Sequence, residues 1–136
     1  MIVVDTNVLS EVMRPAPDPA VVTWLERHGA EIVIASVTLA ELLFGVLRLP
    51  DGARKQLLGE AIESTVAAVE VLPFGQAEAA AYAAIRAAQE AAGLVAGGAD
   101  IQIAAIAATG YHQLATRNTS HFAGSGVVVV NPWTDR

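Results

Sequence analysis

Cysteine is absent from the 136 residues, which excludes disulfides, a thiolate nucleophile and Cys metal sites, and suits a reducing compartment such as the cytoplasm. Positive charge is scarce: 8 Lys+Arg face 14 Asp+Glu, the formal net charge is −6, and the pI lies near 4.9. A large basic cradle for nucleic acid is therefore excluded, because phosphate contacts give such binding its strength. Chemistry on a phosphate ester would need metal ions to bring in positive charge. Charged residues of both signs reach only 16%, below the roughly 25% of ordinary soluble proteins, so part of the surface is expected to be covered by a partner or a second copy. No segment has the about 18 consecutive apolar residues of a membrane span, and Asp5 interrupts the first apolar run before a signal-like stretch develops. A soluble protein is expected.

Several common chemistries are missing as well. The first apolar run leads into Asp5-Thr6-Asn7-Val8-Leu9 instead of a glycine loop, so there is neither a dinucleotide fingerprint nor a P-loop. A phosphate-accepting aspartate would want a second acid beside Asp5 and a lysine at a later strand end; Asn7 stands there, and the only lysine is Lys55. No Gly-x-Ser-x-Gly elbow occurs, and His28, His112 and His121 have no evident serine partner.

What is present is an alternation. Short, mostly β-branched runs at 1–4, 32–35, 69–72, 113–115 and 127–130 are separated by helical patterns, which reads as an α/β fold with a central parallel sheet of about four or five strands. Asp18-Pro19 opens a helix that Gly29 stops, with Trp24 and Leu25 on its apolar side. Thr38 and Glu41 have capping-box spacing before a helix through Leu47, and the turn Leu49-Pro50-Asp51-Gly52 leads into another that runs to about Ala68. The alanine-rich stretch from Gln76 to Ala92 reads as a helix ending at Gly93, and 101–109, closed by Gly110, is apolar on nearly every face, as in a buried helix. Without repeats or linkers, residues 1–136 read as one domain.

Open α/β sheets bind ligands beyond the carboxyl ends of their strands. Asp5 follows the first strand directly, Glu41 lies one turn into the helix after the second, and Asp100 opens the helix before the fourth, so all three can face one crevice. Clustered carboxylates repel one another and are held together most readily by a hard divalent cation; oxygen-only ligands suit Mg²⁺ or Mn²⁺. Each acid also has a plain reading. Asp5 can cap a short helix beginning near Asn7, Glu41 can be the reciprocal half of the Thr38 capping box, and Asp100 can be an ordinary N-cap. Trp24 and Trp133 read as packing residues.

At these residues the chain resembles the PIN-domain endoribonucleases, specifically the VapC-type toxins of bacterial toxin–antitoxin pairs. The resemblance spans Ile2-Val3-Val4-Asp5-Thr6-Asn7-Val8-Leu9-Ser10-Glu11, Ser36-Val37-Thr38-Leu39-Ala40-Glu41-Leu42 with Gly45, Leu72-Pro73-Phe74, and Asp100-Ile101-Gln102-Ile103-Ala104-Ala105. It continues through Ala115-Thr116-Arg117-Asn118 with Phe122 and Val130-Asn131-Pro132-Trp133. It implies a three-layer α/β/α fold in which Asp5, Glu41 and Asp100 hold Mg²⁺ or Mn²⁺ for hydrolysis of RNA. Because the chain is acidic, affinity is expected from a few Arg contacts and RNA shape, which favours structured targets such as transfer or ribosomal RNA. Thr6 and Asn7 would orient Asp5. The family often has a fourth acid where this chain has Asn118-Thr119-Ser120-His121. Asn118 can substitute through its carbonyl, and His121 reads either as a surface residue or as a ligand. Arg117 reads as a phosphate contact or one half of an exposed salt bridge, and Arg86, four residues after Tyr82, as an RNA contact or a solvated side chain. The implied partner is a VapB-type antitoxin, whose C-terminal segment covers the acids. Separately, the low charge, the Ala-rich helix from Gln76 to Ala92 and the apolar residues Leu43, Phe44 and Leu47 predict a homodimer. The alternative is a degenerate member that engages antitoxin or RNA without turnover.

Overall fold

The computed structural model describes residues 1–135. Its centre is a five-stranded sheet of order β3-β2-β1-β4-β5, formed by β1 (Ile2–Val4), β2 (Ile32–Ala35), β3 (Glu70–Leu72), β4 (Gln113–Ala115) and β5 (Val129–Val130). Every pairing is parallel. Between the strands run α1 (Thr6–Val12), α2 (Pro19–His28), α3 (Ser36–Leu47), α4 (Ala53–Ala68), α5 (Gln76–Ala91) and α6 (Gly98–Thr109).

The two-residue period of the strands sorts their side chains to opposite faces. Val3, Val33 and Leu114 pack on one face with Ile85 of α5 and Ile101, Ile103 and Ala104 of α6. Ile2, Val4, Ile34 and Ala115 pack on the other with Val8 and Leu9 of α1, Val21 and Trp24 of α2, Leu42 of α3 and Ile62 of α4. Covering both faces makes three layers, and it explains why the central strands are apolar throughout instead of alternating with polar residues. Trp24 is a core residue, as read from the sequence.

Two helix starts differ from the sequence reading. The backbone turns from β2 straight into α3: Ala35 is the N-cap residue, in extended conformation, and Ser36 is already helical. Thr38 therefore lies inside the first turn, fully buried with its Oγ1 unpartnered, and the capping box with Glu41 does not form. Likewise α6 begins at Gly98 after Gly97, so Asp100 sits within the first turn and caps nothing. Both carboxylates are released from local duty. The other predicted caps hold: Asp18 accepts from Ala20 N at 2.9 Å ahead of Pro19, and Asp5 is the N-cap of α1.

Smaller differences occur elsewhere. Helix α1 starts at Thr6, one residue before the expected place. Strand β5 is shorter than 127–130, because Ser125 Oγ accepts from Val127 N at 3.3 Å in the turn that precedes it. Gly110 does close α6, but the left-handed residue is Tyr111 at φ 56°.

Candidate active site at the carboxyl edge of the sheet

The chain builds β1, β2 and β3 outward in one direction and then places β4 and β5 on the other side of β1. The order thus reverses between β1 and β4, which is where open parallel sheets leave a crevice beyond their carboxyl ends. Asp5 follows β1 there and Thr116 follows β4.

Asp5 is buried, at 5% exposure, and almost encircled by donors. Its Oδ1 accepts from Thr6 N at 2.8 Å, the N-cap bond of α1. Its Oδ2 accepts from Thr116 Oγ1 at 2.8 Å and from Asn7 Nδ2 at 3.2 Å. Asn7 Nδ2 also reaches Thr116 Oγ1 at 3.2 Å, and Asn7 Oδ1 accepts from Arg117 N at 3.1 Å. Asn118 N completes the cluster by donating to Thr116 Oγ1 at 3.1 Å. The cap and the site are therefore one object: the bonds that start α1 also lock the Asp5 carboxylate in one orientation.

Glu41 projects from the second turn of α3 and accepts from Thr6 Oγ1 at 3.1 Å. Asp100, from α6, meets His121 Nδ1 at 3.0 Å through its Oδ2. The three acids interact electrostatically although they come from distant parts of the chain. Burial raises the Asp5 carboxyl above its ordinary value, the hydrogen bonds from Thr116 and Thr6 hold it back, and the Asp100 charge pushes it further up. Glu41 is raised too, first by desolvation and then by the charges of Asp5 and Asp100, with Thr6 opposing. Among the described residues no three His, Asp or Glu side chains are drawn together tightly enough to hold a metal ion on their own.

A groove of about 900 Å³ opens beside Thr6, Asn7 and Glu41 and runs between α1, α3 and α4 to Leu57 and Ile62. Its floor is largely apolar, and Arg14, Arg54 and Arg117 stand along it. Arg117 lies over the Trp133 ring, 5.1 Å from its centroid, a cation–π contact that fixes the guanidinium at the acid end. Among the described residues Arg117 makes no salt bridge, and Trp133 packs against the core as read from the sequence while also carrying the guanidinium. Asn118 is exposed, and among its described bonds the side chain makes none. Arg86 stands apart: it donates to Tyr82 Oη at 3.2 Å, pairs with Glu90 at 3.5 Å, and lines a separate cavity of about 360 Å³.

Thr116 is the member to which the sequence reading assigned no role. Its only signal was its place directly after a buried strand, where a hydroxyl can reach over the sheet edge to an acid on the neighbouring strand.

A PIN domain family model matches residues 2–123. The chain is 39% identical over 137 residues to VapC ribonuclease Y4jK of Sinorhizobium fredii, with 98% of each chain covered. It is 40% identical over 139 residues to toxin FitB of Neisseria gonorrhoeae, covering 99% of this chain and 100% of that protein. A solved structure of FitAB bound to an IR36 DNA fragment superposes with a TM-score of 0.93 at 37% identity, covering 100% of this chain and 98% of that one.

Proposed function

The chain belongs to the PIN domain family, and from that membership we propose that it is a metal-dependent endoribonuclease toxin of the VapC type, active in the cytoplasm and neutralised by a VapB-type antitoxin. This reading is supported by the electrostatic coupling of Asp5, Glu41 and Asp100 beside the sheet's switch point: Asp5 and Glu41 are pushed toward protonation first by burial, and then by the charge of Asp100 on both and of Asp5 on Glu41. An arrangement that costs stability in this way is accounted for by a cation that offsets the repulsion. Mg²⁺ is commonly held by one or two carboxylates together with several waters, so the donor set fits a hydrated Mg²⁺ or Mn²⁺ without a closed cage of three acids. When bound, the ion supplies polarisation of the phosphodiester and a lowered proton affinity for water beside it.

The remaining residues set orientation. Thr116, Asn7 and Thr6 N hold Asp5, and Thr6 Oγ1 tethers Glu41. Arg117 is steadied on Trp133, and its guanidinium would meet the substrate phosphate. With so few cations, affinity comes from RNA shape and exposed single strands, as in the loops of transfer or ribosomal RNA. The apolar length of the groove suits an antitoxin segment whose side chains fill it and whose basic end reaches the acids.

Incubating the purified chain with total RNA tests this. Discrete fragments are expected with Mn²⁺ and none with EDTA, and DNA of matched sequence should stay intact. Binding of RNA or antitoxin without any fragments in Mn²⁺ would replace the enzyme with the degenerate binding protein.

We also propose a homodimer. Leu43, Phe44 and Leu47 of α3 are 45%, 63% and 71% exposed, a stripe of apolar surface at helical spacing. Light scattering at micromolar concentration should give twice the 14.1 kDa chain mass. A single-chain mass across that range, with and without antitoxin, overturns it.

A further inference from the structure

We propose that His121 is the positioning residue for Asp100, the counterpart of what Thr116 and Asn7 do for Asp5; this rests on the metal-site reading above. Each of the three acids has a donor aimed at it. Asp5 has Thr6 N, Thr116 and Asn7, Glu41 has the Thr6 hydroxyl, and the bond described for Asp100 is the one from His121 Nδ1, at 3.0 Å.

Asp100 needs such a partner. It is a quarter exposed, on the first turn of α6, and its charge acts on both Asp5 and Glu41, so like-charge repulsion favours rotamers that turn its side chain away from them. A donor on an anchored segment holds the carboxylate in one orientation against that rotation. Neutral imidazole protonated at Nδ1 and imidazolium both provide the N–H, so the contact does not depend on charge.

The segment that carries His121 is itself anchored. Residues Thr119–Phe122 form a short 3₁₀ turn in which His121 N donates to Asn118 O at 3.1 Å. The next side chain, Phe122, is 3% exposed within the α5/α6 core. Asn118 N is in turn tied to the Thr116 hydroxyl that holds Asp5. One stretch, 116–122, therefore reaches two of the three acids, with a hydroxyl at one end and an imidazole near the other. The departure from an acid in this segment replaces a further negative charge with a donor that fixes one already present.

The test reads Mn²⁺ binding to the full RNA-free chain by titration calorimetry, with metal-free melting temperatures as the folding control. His121→Asn keeps an N–H where Nδ1 stands, whereas His121→Phe keeps the ring without the donor. Outer-shell partners of metal ligands typically account for about 10–100-fold in affinity. His121→Phe should lose on that order and His121→Asn should stay within about threefold of the original chain. His121→Ala is carried in parallel so that misfolding of the Phe variant leaves a donor-free protein to measure. Unchanged Mn²⁺ affinity in the donor-free variants overturns the role while leaving the metal site standing. Equal loss in Phe and Asn variants overturns it in favour of direct ligation by the ring. Absence of Mn²⁺ binding by the original chain overturns the metal reading itself, and this role with it.

Discussion

Glu41→Gln, Asp5→Asn and Asp100→Asn should each lower Mn²⁺-dependent RNA cleavage by on the order of 10²–10³-fold, the scale of losing one electrostatic stabiliser of a transition state. The metal-free chain should not be weakened in parallel. The native pKa values of Asp5 and Glu41 are raised, so the folded state binds protons more tightly than the unfolded one. Above those raised values the fold bears the full cost of the ionised groups; the cost shrinks as pH falls through them and is gone below the ordinary 3.8 and 4.5. Glu41→Gln removes it at every pH, so a gain in melting temperature is expected at pH 7 that fades on acidification. Asp100→Asn relieves both neighbours, because its charge raises each of them. Asp5→Asn should hold roughly level: Asn caps a helix about as well as Asp, but the new amide NH₂ confronts Asn7 and Thr116, which now donate to Oδ2. Full cleavage by any one variant removes that residue from the site, and full cleavage by all three ends the nuclease mechanism.

Thr116→Val should produce the largest loss of stability of any change at the site. The side chain is fully buried, and valine matches its shape. What disappears is a donor to a carboxylate, about 1.5–3 kcal/mol, and an acceptor for Asn7 Nδ2 and Asn118 N. A total of about 3 kcal/mol, or roughly 10 °C in melting temperature, is expected near neutral pH. The Thr116 bond lowers the Asp5 pKa, so its removal raises that value further. The defect should therefore shrink as acid protonates Asp5 in the folded variant. Urea unfolding at pH 7 and near pH 4 measures this, and an identical loss at both values would show that the hydroxyl serves the backbone and not the carboxylate.

Periodicity and punctuation made most of the scaffold legible. Five apolar runs marked five strands, and Asp18-Pro19 marked the start of α2. The misplaced boundaries share a cause: Thr38 and Asp100 carry strong local capping signals, but the abrupt strand-to-helix turn at Ala35 and the glycines at 97 and 98 start their helices earlier. Local preference yielded to the path the sheet imposes. The placement of Asp5, Glu41 and Asp100 in the fold was legible, because each lies at a strand's carboxyl end or on a helix bordering it. Thr116 and the Arg117–Trp133 pair were not, since their roles depend on β4 lying beside β1 and on the chain end folding back, which no local pattern reports. Arg86 looked eligible through its spacing from Tyr82, and that spacing was used up within α5 itself.

The innermost strand of the sheet is also the first to be synthesised. β1 lies between β2 and β4, with Ile2 opposite Gln113 and Val4 opposite Ala115. Asp5 is separated by 111 residues from the hydroxyl that orients it. At typical rates of translation the second partner emerges roughly 6–22 s after the first. During that interval a nascent chain carries Asp5 without its Thr116 donor, with one side of its central strand unpaired. The proposed centre is a late product of synthesis, and a chain cut short before residue 116 would own the acids without the hydroxyl that orients Asp5.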